Sequence, residues 1–303
     1  TSDMDSEIKR AHFILRRRMS DEHSRVRANA VVGLEIFLKS SCVDEEEINQ
    51  DLKLLYKSLT DPSISVKLKA INAFSNVLMT FQNDKKGVNA QNENVDKISI
   101  ESACSLWIHG VLPLVEDNET SVSSLVSEKL YDLVVEPLTH KNSLSAEQLL
   151  QSFPFRLFSC ISIDELLQWI EFVKSGVKMA LTKRKESNQK LVNNLQRLAI
   201  HTINHPKEFP HSLVSTWALL HAVSHSPSNV SDQHGLNGDT LRECWASLQN
   251  NLKLNSTLSM QITALHLIEF FSSVFCNSFS IISIPLKIFL NSSVLNFSSF
   301  LKI

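Results

Sequence analysis

The chain has 303 residues and a formal net charge of −2, with 43% hydrophobic and 20% charged residues. This composition is typical of folded globular proteins and excludes a wholly disordered chain or a strongly basic DNA-coating tail. Glycine and proline are scarce, at 6 and 8 residues, which disfavours the hairpins of all-β folds and the phosphate-binding loops of nucleotide-binding α/β folds. Because the abundant Leu, Lys, Glu and Ala favour helices, the composition predicts an all-α protein.

The cysteines indicate neither a disulfide framework nor a zinc site. They are odd in number, widely separated and without a CxxC pair: Cys42, Cys104, Cys160, Cys244 and Cys276. This pattern is typical of a reducing compartment. Residues 1–18 are charged and amphipathic, so we expect no secretory signal.

An internal repeat is the most informative pattern in the chain. Residues 21–38 align with 61–78 at an offset of 40, and a third copy, 117–134, follows after 56 more residues. Each copy opens with an aspartate and carries one apolar stripe with a helical period. The matched apolar positions are Val26, Ala30, Leu34, Phe37 and Leu38; Val66, Ala70, Phe74, Val77 and Leu78; and Val122, Val126, Leu130, Leu133 and Val134.

A second helical pattern precedes each copy, over residues 8–19, 48–59 and 100–112. The predicted unit is therefore a helical hairpin with a period near 40, which matches HEAT or armadillo repeats better than the shorter tetratricopeptide or ankyrin units. We predict an all-α, HEAT-type α-solenoid of stacked antiparallel hairpins. HEAT repeats commonly carry an acidic residue at this turn and a basic residue six positions later, as in Asp21/Arg27 and Asp61/Lys67, whereas Asp117/Ser123 departs from the pattern.

Three regions are predicted along the chain. Residues 1–136 hold three HEAT-like repeats with a loop insertion near 82–94, and residues 137–276 continue the solenoid as degenerate repeats. Residues 277–303 form an atypical tail, interpreted as disordered or as a gene-model artefact, in which Pro285 and Lys287 interrupt any membrane span. The helices predicted beyond the third copy cover residues 143–158, 163–181, 191–204, 211–224, 239–254 and 258–275.

No catalytic, cofactor or metal site is predicted. The sequence contains no GxGxxG, GxxxxGK[ST], GxSxG or HExxH motif, and its few glycines leave little backbone that could approach a phosphate. His201 and His205 have the i, i+4 spacing of a helical metal site, but Pro206 ends that helix. We expect these histidines to be surface residues and the chain not to be an enzyme.

Two basic clusters are the candidate nucleic-acid contacts. The residues are Lys9, Arg10, Arg16, Arg17 and Arg18 in the first hairpin, and Lys183, Arg184 and Lys185 near the middle of the chain. Neighbouring repeats could bring such cations together in a groove, where each phosphate contact releases counterions and binding is independent of sequence. The alternative is that both clusters are ordinary solvated helix faces.

The segment 106–130 resembles the D-type non-SMC HEAT subunits of condensin II. In that family a tryptophan-containing helix leads into a G-V-x-P-x-V-x-D-x-E-x-x-V pattern, and the matching residues here are Gly110, Val111, Pro113, Val115, Asp117, Glu119 and Val122. The resemblance is specific over residues 25–136 and diffuse up to 275.

The resemblance implies a nuclear, chromosome-bound scaffold that acts in mitotic chromosome condensation. Its implied partners are a kleisin subunit, an SMC ATPase pair that supplies the nucleotide chemistry, a second HEAT subunit, and DNA or chromatin. The family protein is far longer, so this chain would be a segment of it. Two alternatives remain: a HEAT adaptor of another class, in nuclear transport, phosphatase assembly or cohesin regulation, and an enzyme with an unrecognised site.

Overall fold

The computed structural model describes residues 2–39, 45–83, 93–139, 144–184, 189–224 and 238–255, together with 257, 259, 260, 263 and 264. All regular elements in these residues are helical, which confirms the predicted all-α class. In chain order they are α1 (Ser2–Arg18), α2 (Ser24–Lys39), α3 (Glu45–Ser58), α4 (Ile64–Asn83), α5 (Glu93–Gly110), a 3₁₀ turn (Leu112–Glu116), α6 (Thr120–Leu130), a π-helical segment (Tyr131–Val135), α7 (Glu136–Thr139), α8 (Ala146–Leu150), α9 (Phe153–Ser159), α10 (Ile163–Arg184), α11 (Gln189–Asn204), α12 (Pro210–Ser224) and α13 (Gly238–Asn255).

The helices form a two-layered solenoid. In one layer, the α2 layer, each helix packs on the next in the order α2, α4, α6, α10 and α12. The other layer, the α1 layer, begins with α1, α3, α5 and α9; α11 joins it through α7 and α8, and α13 packs on α11. Each hairpin therefore buries its apolar face against the hairpins on either side, as expected of a HEAT-type repeat.

The repeat copies occupy matching places in the fold. Helices α2, α4 and α6 each begin three residues after the aspartate of their copy, and Val26, Val66 and Val122 are each the third helical residue. The third matched position is fully buried in all three copies: Leu34, Phe74 and Leu130 are each 0% exposed. Of the matched positions, only Val26 and Phe37 are half-buried, and the others are buried. The apolar stripe thus faces one core that runs along the solenoid.

Each repeat aspartate lies three residues before the first residue of its helix and bonds within the turn that precedes it. Each accepts a hydrogen bond from the backbone N–H two residues later: His23 to Asp21 at 3.0 Å, Ser63 to Asp61 at 2.8 Å, and Glu119 to Asp117 at 2.9 Å. This contact orders the turn between the two helices of a hairpin and leaves the other carboxylate oxygen for a further partner.

The junction of α5 with the 3₁₀ turn depends on close packing. A Cβ atom at Gly110 would lie 2.7 Å from both Leu59 Cδ1 and the Tyr56 ring, so these two side chains would have to shift to admit a larger residue. In the same helix Trp107 is fully buried, and its Nε1 donates to Ser75 Oγ on α4 at 3.0 Å. The tryptophan and glycine of the segment 106–130 therefore fix α5 against the preceding hairpin.

Two predicted helices differ in detail from the structure. The third copy widens into the π-helical segment before Pro137, where the N–H of Glu136 bonds to the carbonyl of Tyr131. Proline lacks an N–H and its ring clashes with the preceding turn of a helix, so the wider turn lets the chain continue. The helix predicted over 143–158 is split into α8 and α9, because a new start at Ser152 places Pro154 in the first turn of α9.

Several predicted features lie outside the described residues. They are most of the insertion near 82–94, Lys185, the greater part of the helix predicted over 258–275, and the tail 277–303. The division into regions at residue 136 stays a prediction.

Substitution of the matched core positions tests the repeat register. Leu34→Ala and Phe74→Ala should each lower the free energy of unfolding by about 2–5 kcal/mol, because each removes a fully buried side chain between helices. A urea titration monitored by circular dichroism measures this change in the free energy of unfolding. The control is Ile36→Ala on the same helix as Leu34, whose side chain is 65% exposed and whose removal should change stability by less than about 0.5 kcal/mol. Equal effects at positions 34 and 36 would contradict the register.

Candidate nucleic-acid and partner interface

A ladder of ion pairs joins the α2-layer repeats. Arg27 binds Asp61 of the next repeat through two bonds, Nε to Oδ2 at 2.7 Å and Nη2 to Oδ1 at 2.8 Å. Its Nη1 also donates to the carbonyl of Asp21 at 2.8 Å. One repeat further on, Lys67 Nζ donates to Asp117 Oδ2 at 3.2 Å. In the first two copies, therefore, the cation binds the aspartate of the following copy.

The ladder ends at the third copy, where the sequence departs from the pattern. Ser123 stands in the place of the cation, and its hydroxyl donates to the backbone carbonyl of Thr120 in its own helix. The hydrogen bond from Arg27 lowers the pKa of Asp61. For Asp117, the backbone N–H of Glu119 is the larger cause of a lowered pKa, ahead of Lys67. Both carboxylates are thus held in their charged form by groups that the fold fixes.

A second ionic contact joins α1 to α3 and involves one of the predicted DNA-binding residues. Asp51 is fully buried; its Oδ2 lies 2.6 Å from His12 Nε2, and its Oδ1 accepts from Arg16 Nε at 2.6 Å. Arg16 also donates to Gln50 Oε1 at 3.2 Å and to the carbonyl of Glu47 at 3.0 Å. A buried carboxylate needs such partners, so Arg16 holds two repeats together. Replacing it would disturb the fold as well as any surface contact.

The second basic cluster packs against α6 and the π-helical segment that continues it. Arg184 places its guanidinium carbon 3.7 Å from the centre of the Tyr131 ring and donates to Asp132 at 3.1 Å. Lys183 donates to the hydroxyl of Ser124. Burial raises the pKa of Asp132 in spite of the nearby cations. These two basic residues are therefore engaged within the chain, and their neighbour Lys185 lies outside the described residues.

The remaining basic residues of the first hairpin are at the surface. Lys9, Arg10 and Arg17 are exposed, and none has an ion-pair partner within the described part of the chain. Arg17 lies over the ring of Phe13, 5.9 Å from its centre, and that ring is 61% exposed. Arg18 is also exposed but donates to Asp21 at 2.9 Å.

The repeat register adds two lysines that the sequence analysis did not identify. At the offset of 40, Lys53 and Lys57 on α3 match Phe13 and Arg17 on α1, and both lysines are exposed. Helices α1 and α3 are neighbours, because His12 and Arg16 on α1 both contact Asp51 on α3. Lys9, Arg10, Arg17, Lys53 and Lys57 together form what we call the α1–α3 basic face. This face could have been predicted from the sequence by applying the offset of 40 residues to the polar positions as well as to the apolar ones.

Other kinds of site are not evident in the described residues. These residues contain no group of three or more His, Cys, Asp or Glu side chains that could hold a metal ion. A surface depression of about 370 Å³ is lined by Glu46, Asn49, Gln50 and Lys53, all on α3 beside the basic face. Among the described helices, none is both long and apolar enough to span a bilayer.

The chain is distantly similar to a subunit of a known protein complex. No protein-family model matches the chain. The Condensin-2 complex subunit D3-L of Xenopus laevis is 26% identical over 161 residues, which are 53% of this chain and 10% of the relative. The chain therefore matches a small part of a much longer protein.

The ladder can be tested through its dependence on pH. Arg27→Met should destabilise the fold more than Arg25→Met, which removes the same charge from an exposed site on the same helix. The pKa of Asp61 in the folded state lies below its ordinary value of 3.8. The pair therefore stabilises the fold above that value, and the stabilisation disappears as the pH falls through the folded pKa.

The measurement is urea unfolding of both variants at neutral pH and at successively lower pH. The difference between the two variants should be largest at neutral pH and should shrink once Asp61 is protonated. A difference that is constant at all pH values would show that the Arg27 side chain stabilises the fold by packing alone.

Proposed function

We propose that this chain is a segment of a non-enzymatic HEAT-repeat scaffold in a condensin-type complex. The observation that carries the proposal is the similarity to a condensin-2 complex subunit in a chain that is itself a helical-repeat solenoid. In this proposal the chain acts in the nucleus, on chromosomes, during mitotic condensation. It binds a kleisin subunit and an SMC ATPase pair, alongside a second HEAT subunit.

The construction of the fold supports a scaffold role. Each hairpin is stabilised mainly by its neighbours, so both layers leave long helix surfaces free for large partners. The ionic contacts inside the stack, Arg27 with Asp61 and Arg16 with Asp51, fix the orientation of one repeat on the next. A rigid surface of this kind sacrifices little conformational entropy when a partner docks on it.

We propose that DNA or chromatin contacts the α1–α3 basic face. Among the predicted contact residues, Lys9, Arg10 and Arg17 are exposed and have no carboxylate partner among the described residues, and Lys53 and Lys57 extend the charge to the next repeat. Phosphates attract such cations without regard to base sequence. Lys183 and Arg184 contribute less in this proposal, because they already bind α6 and the segment that follows it.

Salt-dependent binding tests this assignment. The variant Arg17→Gln/Lys53→Gln/Lys57→Gln should weaken binding to duplexes of any sequence, and the slope of log affinity against log salt should fall by about 0.9 for each phosphate that the variant no longer neutralises. Fluorescence anisotropy with two unrelated duplexes measures both quantities. The control removes three exposed lysines elsewhere, Lys69, Lys190 and Lys207. Equal weakening in both triple variants would mean that net charge, and not this face, determines binding.

Recovery of partners tests the proposed complex. The tagged chain, incubated in nuclear extract treated with nuclease, should retain a kleisin and an SMC pair, identified by mass spectrometry. Nuclease treatment removes proteins that are tethered only through DNA. Recovery of karyopherin cargo or phosphatase subunits in their place would favour a HEAT adaptor of another class and would contradict the proposal.

A further inference from the structure

Two cysteines that are 56 positions apart in sequence meet between α5 and α9. Cys104 lies on α5 and is fully buried, whereas Cys160 directly follows α9 and is partly exposed. Helices α5 and α9 are packed together, and the two thiols lie close enough for each to shift the pKa of the other. The Cys160 thiol also contacts the carbonyl of Arg156 at 3.1 Å. The fold thus forms a dithiol pair that the sequence spacing gives no reason to expect.

We infer that Cys160 is an oxidation site at which a hydroperoxide forms a sulfenic acid, and that Cys104 resolves this acid into a disulfide joining α5 to α9. The roles follow from exposure, since Cys160 is partly exposed and within reach of a dissolved oxidant, whereas Cys104 is fully buried on the neighbouring helix. Two thiols on packed helices need only a local shift to reach the bonding distance of about 2.05 Å.

The electrostatics assign the same order to the two thiols. The interaction with the Cys104 thiol lowers the pKa of Cys160, and the nearby Arg156 acts in the same direction. The same interaction, together with burial, raises the pKa of Cys104. Burial raises the pKa of Cys244, the other described cysteine, to about 11. Because the thiolate is the nucleophile, Cys160 is the reactive member of the pair and Cys244 is an internal reference.

The reaction balances with hydrogen peroxide as the oxidant. The Cys160 thiolate attacks one peroxide oxygen, the O–O bond breaks, and the sulfenic acid forms with release of hydroxide, which the proton from the Cys160 thiol converts to water. The Cys104 thiol then attacks the sulfenic sulfur; the S–S bond forms, the S–O bond breaks, and the departing hydroxide takes the Cys104 proton and leaves as a second water. The two sulfurs together give up two electrons, and the peroxide gains them. A dithiol reductant reverses the disulfide.

Peptide mapping of the purified chain tests the inference. After brief treatment with hydrogen peroxide and alkylation of free thiols, trypsin should release peptides 98–129 and 157–174 as one linked species, lighter by two hydrogens than their sum. Cys244 should remain fully alkylated. The linked species should disappear after reduction, and the oxidised chain should melt at a higher temperature than the reduced chain, because the new bond closes a long loop.

Two variants separate the roles of the thiols. In Cys104→Ser the sulfenic acid on Cys160 should persist and be trapped by dimedone, whereas in Cys160→Ser position 104 should stay reduced. The inference is overturned if the untreated variants fold normally but no linked peptide forms in the parent chain. It is also overturned if Cys160 is oxidised no faster than Cys244, or if Cys104 pairs with another cysteine.

Discussion

The structure depends on apolar helix faces that no single hairpin can bury. Leu34, Phe74 and Leu130 hold the same position in successive copies, and each is fully buried because the next hairpin covers it. Burial of apolar surface contributes about 25 cal/mol per Å² to folding. Because most of this surface is buried between neighbouring hairpins, the stabilising free energy comes from contacts between repeats and not from any one repeat. The consequence is an extended molecule whose surfaces are available along its length, which suits the binding of large partners.

The ionic contacts add specificity to this apolar stack. An apolar face tolerates small rotations, whereas the two bonds from Arg27 to Asp61 define one orientation of α2 against α4. The buried Asp51 has a similar effect in the other layer, since leaving it without His12 and Arg16 would be costly. Cations used in this way are not available to phosphates. The structure therefore separates the basic residues into those that bind carboxylates within the fold and those that are exposed, and only the exposed ones are candidates for binding phosphate.

Much of the fold could be predicted from the sequence, because the repeat places equal side chains in equal surroundings. The offset of 40 identified the core positions of α2 and α4, and the third copy keeps the same register despite its longer spacing. The split between α8 and α9 and the wide turn before Pro137 could not be predicted from periodicity, since apolar spacing is nearly the same in a continuous and an interrupted helix. The candidate site was harder to predict. Whether Arg16 faces solvent or Asp51 depends on the neighbouring repeat, and the meeting of Cys104 with Cys160 depends on the path of the chain through the intervening helices.

The unequal rungs of the ladder give the solenoid an uneven stiffness. Arg27 binds Asp61 through two parallel hydrogen bonds from its planar guanidinium, which resist rotation of α2 relative to α4. Lys67 binds Asp117 through a single hydrogen bond, about which α4 and α6 can rotate. Beyond the third copy no cation continues the series, because Ser123 bonds within its own helix. A torque applied along this ladder would therefore rotate the α4 to α6 joint first, while α2 and α4 would turn together.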